Sequence, residues 1–201
     1  SLPALAAKLV LGDTLDVLET SNALLGVSFL FTGLLLILTQ AIGQRNERLQ
    51  LAGEKVGVFH ALAMGLMQVI GMLPGVSRSG STIFGGVGAK LSRASAAKFS
   101  FMMSMPAIVA SFLSEGYSAY KSGALSQSGD WAAIVVGMVV AGVSGYLAIR
   151  FMLRIIARVS LNWFALYVIV LGIVVLALQA TGVIDGAPLH LLPQATAVPL
   201  P

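Results

Sequence analysis

The chain contains no cysteine, which removes disulfides, thiolate catalysis and cysteine-based metal sites. Charge is nearly as scarce. Only 10% of the 201 residues are Asp, Glu, Lys or Arg, against about 25% in soluble domains. There are two histidines, His60 and His190, and neither sits in a ligand-like cluster. With 57% hydrophobic residues and a mean hydropathy of +0.93, too few polar side chains remain to cover a water-facing surface. Lipid is therefore the expected solvent. The net charge of +4 could suit nucleic acid, but the Lys and Arg residues fall in short clusters between apolar runs. That pattern sets membrane orientation, so no nucleic-acid partner is expected.

What is there is long and apolar. Residues 21–40 carry no charge and are long enough to cross a bilayer core of about 30 Å at about 1.5 Å per residue. Residues 94–113, 131–153 and 163–180 make three further candidates, the first interrupted by Pro106. Trp131 and Trp163 open the last two, where indole favours the membrane interface. Gly137, Ala141 and Gly145 have the small-residue spacing that lets membrane helices approach. The methionines between Met64 and Met105 read as adaptable packing.

Residues 56–91 differ. Two apolar pieces, 57–73 and 83–91, are each short for a full span, and between them lies Pro74-Gly75-Val76-Ser77-Arg78-Ser79-Gly80-Ser81-Thr82. Arg45, Arg48 and Lys55 precede this region and Lys90, Arg93 and Lys98 follow it, so both flanks read as cytoplasmic. A segment that starts and ends on one side is a hairpin that enters the membrane and returns. Asp13, Asp16 and Glu19 put the opposite end of the first span outside, and Arg150, Arg154 and Arg158 bring the third back in. The expected fold is an all-α polytopic membrane bundle with a re-entrant helical hairpin. Residues 1–180 form the membrane domain and 181–201 a poorly ordered external tail.

The polar stretch carries the chemistry. Irregular backbone at membrane depth persists only where it is buried in protein or lines a wet cavity. Pro74-Gly75 stops the first half-helix, Gly75 and Gly80 allow tight backbone, and the amino-terminus of the second half-helix attracts anions. Arg78 at bilayer depth is costly, and the nearest acid in sequence is the distant Glu54. An anionic ligand is the natural counter-charge, because a guanidinium fork matches phosphate oxygens. Ser77, Ser79, Ser81 and Thr82 supply hydroxyls for the remaining oxygens. Gln68, in the first half-helix, faces either this cavity or a neighbouring helix. The bland alternative is an Arg that snorkels to the interface beside a serine-rich turn.

The run Pro-Gly-x-Ser-Arg-Ser-x-x-Thr at residues 74–82 resembles the second signature of the undecaprenyl-diphosphate phosphatases, the bacterial membrane enzymes of bacitracin resistance. The similarity extends to residues 60–68 and 91–106, and to 21–40. The resemblance implies an enzyme that removes the terminal phosphate of undecaprenyl diphosphate in cell-wall carrier recycling. It implies catalytic roles for Arg78, Ser77, Ser79 and Thr82, with Gly75, Gly80, Ser81 and Gln68 binding substrate. It also implies a divalent cation, Mg²⁺ or Ca²⁺, a bacterial inner-membrane location, a site open to the outer face, and a homodimer as an option.

One departure matters. The family's first signature, a Glu-x-x-x-Glu pair followed by a Ser-Ser-Thr-Gly-His-like segment, is not found in this chain. The acid–base carboxylates and nucleophile are therefore expected upstream of Ser1, in an amino-terminal part that this sequence lacks. A second phosphatase class, with Ser-Arg-x5-His-x3-Asp, is rejected because its His position is Phe84. The remaining rival is a polyprenyl-phosphate transporter or flippase, whose half-helices can also face an anion.

Overall fold

The computed structural model describes residues 24–122 and 131–181. In chain order its helices are α1 (Leu25–Arg48), α2 (Val58–Ile70), α3 (Arg78–Gly88), α4 (Arg93–Lys121), α5 (Trp131–Arg158) and α6 (Asn162–Ala180). Among the described residues there is no strand, only an isolated bridge between Gly53 and Leu91. Four helices, α1, α4, α5 and α6, are long and apolar enough to cross a membrane. The protein is an all-α, multi-pass membrane bundle. Asp13, Asp16, Glu19, Asp130, His190 and nearly all of the expected tail lie outside the described residues.

α1 is built inside-out relative to a soluble helix. It buries Ser28, Thr32, Thr39, Gln40 and Asn46 with Gly26 and Gly33, and turns Val27, Phe31, Leu34 and Ile37 outward. Lipid offers apolar side chains a solvent as good as the protein interior, so association rests on close packing and internal hydrogen bonds instead. The small residues serve the first need. A Cβ added at Gly172 of α6 would lie 3.0 Å from the Gly26 carbonyl oxygen of α1 and 3.1 Å from the Phe29 Cβ. The helix runs past the expected end at residue 40 to Arg48, and its last turn carries Arg45 and Arg48, cations that suit the negative end of a helix dipole.

α2 and α3 form the hairpin, and its two ends meet. The Gly53 amide donates to the Lys90 carbonyl at 2.8 Å, and the Ser92 amide donates to the Gly53 carbonyl at 2.8 Å. The Asn46 side chain of α1 donates to the Val87 carbonyl at 2.9 Å. The chain therefore enters and leaves the hairpin at the carboxyl end of α1. The tip lies far up α1: the Ser77 amide donates to Thr32 Oγ1 at 3.0 Å. From Asn46 to Thr32 the helix rises roughly 21 Å at about 1.5 Å per residue. Between base and tip, Met64, Ile83, Val87, Leu91, Ala96, Ala97 and Ile156 make the core.

The base is braced by polar bonds. Gln40 Oε1 accepts from Arg93 Nη1 at 2.7 Å and from the Leu161 amide at 3.1 Å, tying α1 to the starts of α4 and α6. Arg93 Nε also lies 3.5 Å from Glu47 Oε1, an ion pair without hydrogen-bond geometry. The small-residue spacing of α5 is unused: a Cβ added at Gly137 or Gly145 meets nothing within 4 Å among the described residues. Met64 is fully buried and Met103 packs against the core, whereas Met102 and Met105 face outward at 61% and 58% exposure, so the packing reading holds for part of the run only.

Candidate functional site

The second half-helix begins earlier than the sequence suggests. Residues 78–82 form its first turns, and the irregular tip is confined to residues 71–77. Ser77 is the N-cap, in extended conformation, and its Oγ accepts from the Gly80 amide at 3.1 Å. That bond satisfies one of the amides a helix start leaves without an intrahelical acceptor. Gly75 turns the chain with φ +78°, and a Cβ there would sit 2.8 Å from the Ser28 Cβ. Both the backbone sign and the space demand glycine.

This turn delivers Arg78 to a cavity of about 300 Å³ lined by Gln68, Arg78, Ser79, Thr82, Ser100 and Ser104. Arg78 and Ser79 are exposed, whereas Thr82 and Ser100 are buried. Thr82 Oγ1 lies 3.0 Å from the Ser79 carbonyl, 3.1 Å from the Arg78 carbonyl and 2.6 Å from Ser100 Oγ. Among the described residues the Arg78 guanidinium has no ion pair or hydrogen bond; the ion pair there is Arg93 with Glu47 at the base. The Arg78 cation, on the first turn of a helix, and several hydroxyls thus converge on one open cavity, an arrangement suited to an oxyanion.

The expected residues divide. Gln68, Arg78, Ser79 and Thr82 come together at the cavity. Ser81 does not: it is fully buried, and its Oγ donates to the Ser77 carbonyl at 3.0 Å. Ser77, Gly75 and Gly80 shape the turn, as cap, left-handed residue and capped amide. Ser100 and Ser104, one turn apart on α4, were hidden inside a run legible only as a span. Hydroxyls at i and i+4 in an apolar helix were the available signal. His60 stands at the base end of α2, where its Nδ1 accepts from the Gly57 amide at 3.0 Å.

Among the described residues no carboxylate lines the cavity. Among the described residues no group of three His, Cys, Asp or Glu gathers to hold a metal. The cavity's donors are a guanidinium, an amide and hydroxyls, which do not fit a divalent cation that favours carboxylate oxygens.

Residues 1–174 match the family described as bacitracin resistance protein BacA. The chain belongs to that family. It is 39% identical over 170 residues to an undecaprenyl-diphosphatase of Carboxydothermus hydrogenoformans, covering 85% of this chain and 64% of that protein. An undecaprenyl-diphosphatase of a Polaromonas species is 34% identical over 189 residues, covering 93% of this chain and 67% of the relative. One of Flavobacterium johnsoniae is 33% identical over 178 residues, with 89% and 67% covered. The chain thus spans about two thirds of the length of these BacA-family relatives.

Proposed function

We propose that this chain holds the phosphate-binding half of a site that hydrolyses undecaprenyl diphosphate to the monophosphate. The observation that carries the reading is Arg78, set on the first turn of a half-helix at a hydroxyl-lined cavity, in a chain whose relatives bear the name undecaprenyl-diphosphatase. Arg78 takes the diphosphate oxygens through its fork. The first-turn amides and the Ser79 hydroxyl accommodate the rest, with Thr82 and Ser100 bonded to each other behind them. The net reaction adds water across the anhydride P–O bond at the terminal phosphorus, giving inorganic phosphate and the lipid monophosphate. A general base is needed to take the nucleophile's proton, and no described lining residue is one. The described lining residues do not fit a divalent cation, so a Mg²⁺ or Ca²⁺ ion would travel with the diphosphate.

Orientation follows from charge. Arg45, Arg48, Lys55, Lys90 and Arg93 gather at the hairpin base, so the base is cytoplasmic under the positive-inside rule. The tip, roughly 21 Å along α1 at about 1.5 Å per residue, then lies in the outer half of a bilayer core of about 30 Å. The reading is an inner-membrane protein whose cavity opens toward the outer face.

The test uses the 201-residue chain in nanodiscs with a polyprenyl diphosphate. Binding is expected, with little phosphate released, because the described lining residues include no base. Arg78→Ala should weaken binding roughly ten- to 150-fold, since hydrogen bonds to charged groups contribute about 1.5–3 kcal/mol. Unchanged affinity would remove Arg78 from the site, and robust phosphate release would refute the incomplete site. The rival, a polyprenyl-phosphate transporter, rests on half-helix architecture and on the lack of a base among the described lining residues. It predicts that the lipid crosses the bilayer with its anhydride intact.

A further inference from the structure

A second cavity adjoins the first across α3. Its polar mouth is formed by Thr32, Ser77, Ser79 and Gly80, and Ser79 lines both cavities. Beyond the mouth the walls turn apolar: Leu36 of α1, Ile83 of α3, Met152 and Ile156 of α5, and Phe164 and Val168 of α6. The groove runs toward the base, because Leu161 at its lower end is bonded to Gln40. A groove that is polar only where it meets the Arg78 cavity, and apolar in the direction of the membrane interior, matches a molecule with an anionic head and a hydrocarbon tail.

We propose that this groove is the subsite for the isoprene unit next to the diphosphate, an inference that rests on the head-group reading above. Continuity carries it: a diphosphate held by Arg78 has its first carbon near Ser79, the residue shared by both cavities. Size limits it. The groove offers about 180 Å³, and a cavity of about 150 Å³ accepts benzene. A five-carbon isoprene unit fits, with room for the start of a second. The remaining tail lies in lipid, which solvates it as well as protein would. The specificity therefore concerns the first unit, and chain length is not read here.

The experiment measures affinities of the detergent-solubilised chain for inorganic pyrophosphate, dimethylallyl diphosphate (one unit) and geranyl diphosphate (two units). Dimethylallyl diphosphate should bind roughly tenfold or more tighter than pyrophosphate, given about 0.8 kcal/mol per buried methylene. Geranyl diphosphate should add a smaller step. Met152→Trp and Val168→Trp fill the groove from two helices. Each should abolish the gain of the first unit while pyrophosphate affinity stays unchanged, which also reports that the variant is folded. A gain that survives both substitutions, or no gain in the unmodified chain, overturns the tail subsite; a bilayer acyl chain or another protein segment filling the groove gives that result. Failure of pyrophosphate to bind the unmodified chain overturns the head-group reading and the subsite with it.

Discussion

At the scale of single residues, the Thr82–Ser100 contact carries an asymmetry that can be measured. Thr82 has one hydroxyl proton and two helix carbonyls within 3.1 Å. Threonine in a helix normally donates backward to such a carbonyl. The proton of the 2.6 Å contact therefore comes from Ser100. Ser100→Ala leaves Thr82 with its carbonyl acceptor, and the loss is an ordinary net hydrogen bond of about 0.5–1.5 kcal/mol. Thr82→Val leaves a buried serine donor without its acceptor, which costs about 1–3 kcal/mol. Thermal unfolding in detergent should rank Thr82→Val as the more destabilising, and the reverse order would assign the proton to Thr82. This contact also marks what was hard to see in the sequence. Arg78 stood out because a cation in an apolar run is costly and the glycines, proline and hydroxyls around it weigh against simple snorkelling, and the hydroxyls beside it followed by proximity. Ser81 was grouped with them for the same reason. Helical periodicity instead turns Ser81 inward onto the Ser77 carbonyl and brings in Ser100 from a helix distant in sequence.

At the scale of elements, the spans were legible because a bilayer demands a minimum apolar length, and each expected run overlaps one of the long helices. The start of α3 was not legible. Serine and glycine have poor helix propensity, so residues 77–82 read as a loop, although Ser77 followed by the Gly80 amide is a helix-start signal once the cap is recognised. The partners of α1 were also hidden, since polar and small residues scattered through an apolar run show no face until the neighbours are known. The α1–α6 contact yields a paired prediction. At Gly172 a methyl group would press on the Gly26 carbonyl at 3.0 Å, and backbone cannot retreat as a side chain can. Gly172→Ala should therefore destabilise the protein by about 1–3 kcal/mol, as overpacking does. At Gly142 on α5 nothing among the described residues lies within 4 Å, and Gly142→Ala should be neutral or stabilise by up to about 1 kcal/mol through helix propensity. Denaturation midpoints of the two variants in one detergent give the comparison. Equal losses would mean that α1 and α6 are not in close contact.

At the scale of the whole molecule, the arrangement of cations and the closed base of the hairpin make one topological claim. The Gly53, Lys90 and Ser92 backbone bonds hold entry and exit together, and the Leu161–Gln40 bond brings the α5–α6 turn to the same level. Lys55, Lys90 and Arg158 must then face one side of the membrane, with Leu73, at the tip, nearer the other. The absence of cysteine makes the claim directly testable, because any introduced cysteine is the sole thiol. Lys55→Cys, Lys90→Cys and Arg158→Cys, all outside the cavity, should react with a membrane-impermeant maleimide from the cytoplasmic side only. Leu73→Cys, at 36% exposure, should be protected from that side and react from the opposite one. A full crossing between residues 55 and 90 would instead label Lys55→Cys and Lys90→Cys from opposite sides. It would also separate the ends that the backbone bonds join, and Arg78 would lose the half-helix start that makes its charge useful. The labelling pattern thus tests the structural premise on which both the phosphate cavity and the adjoining apolar groove depend.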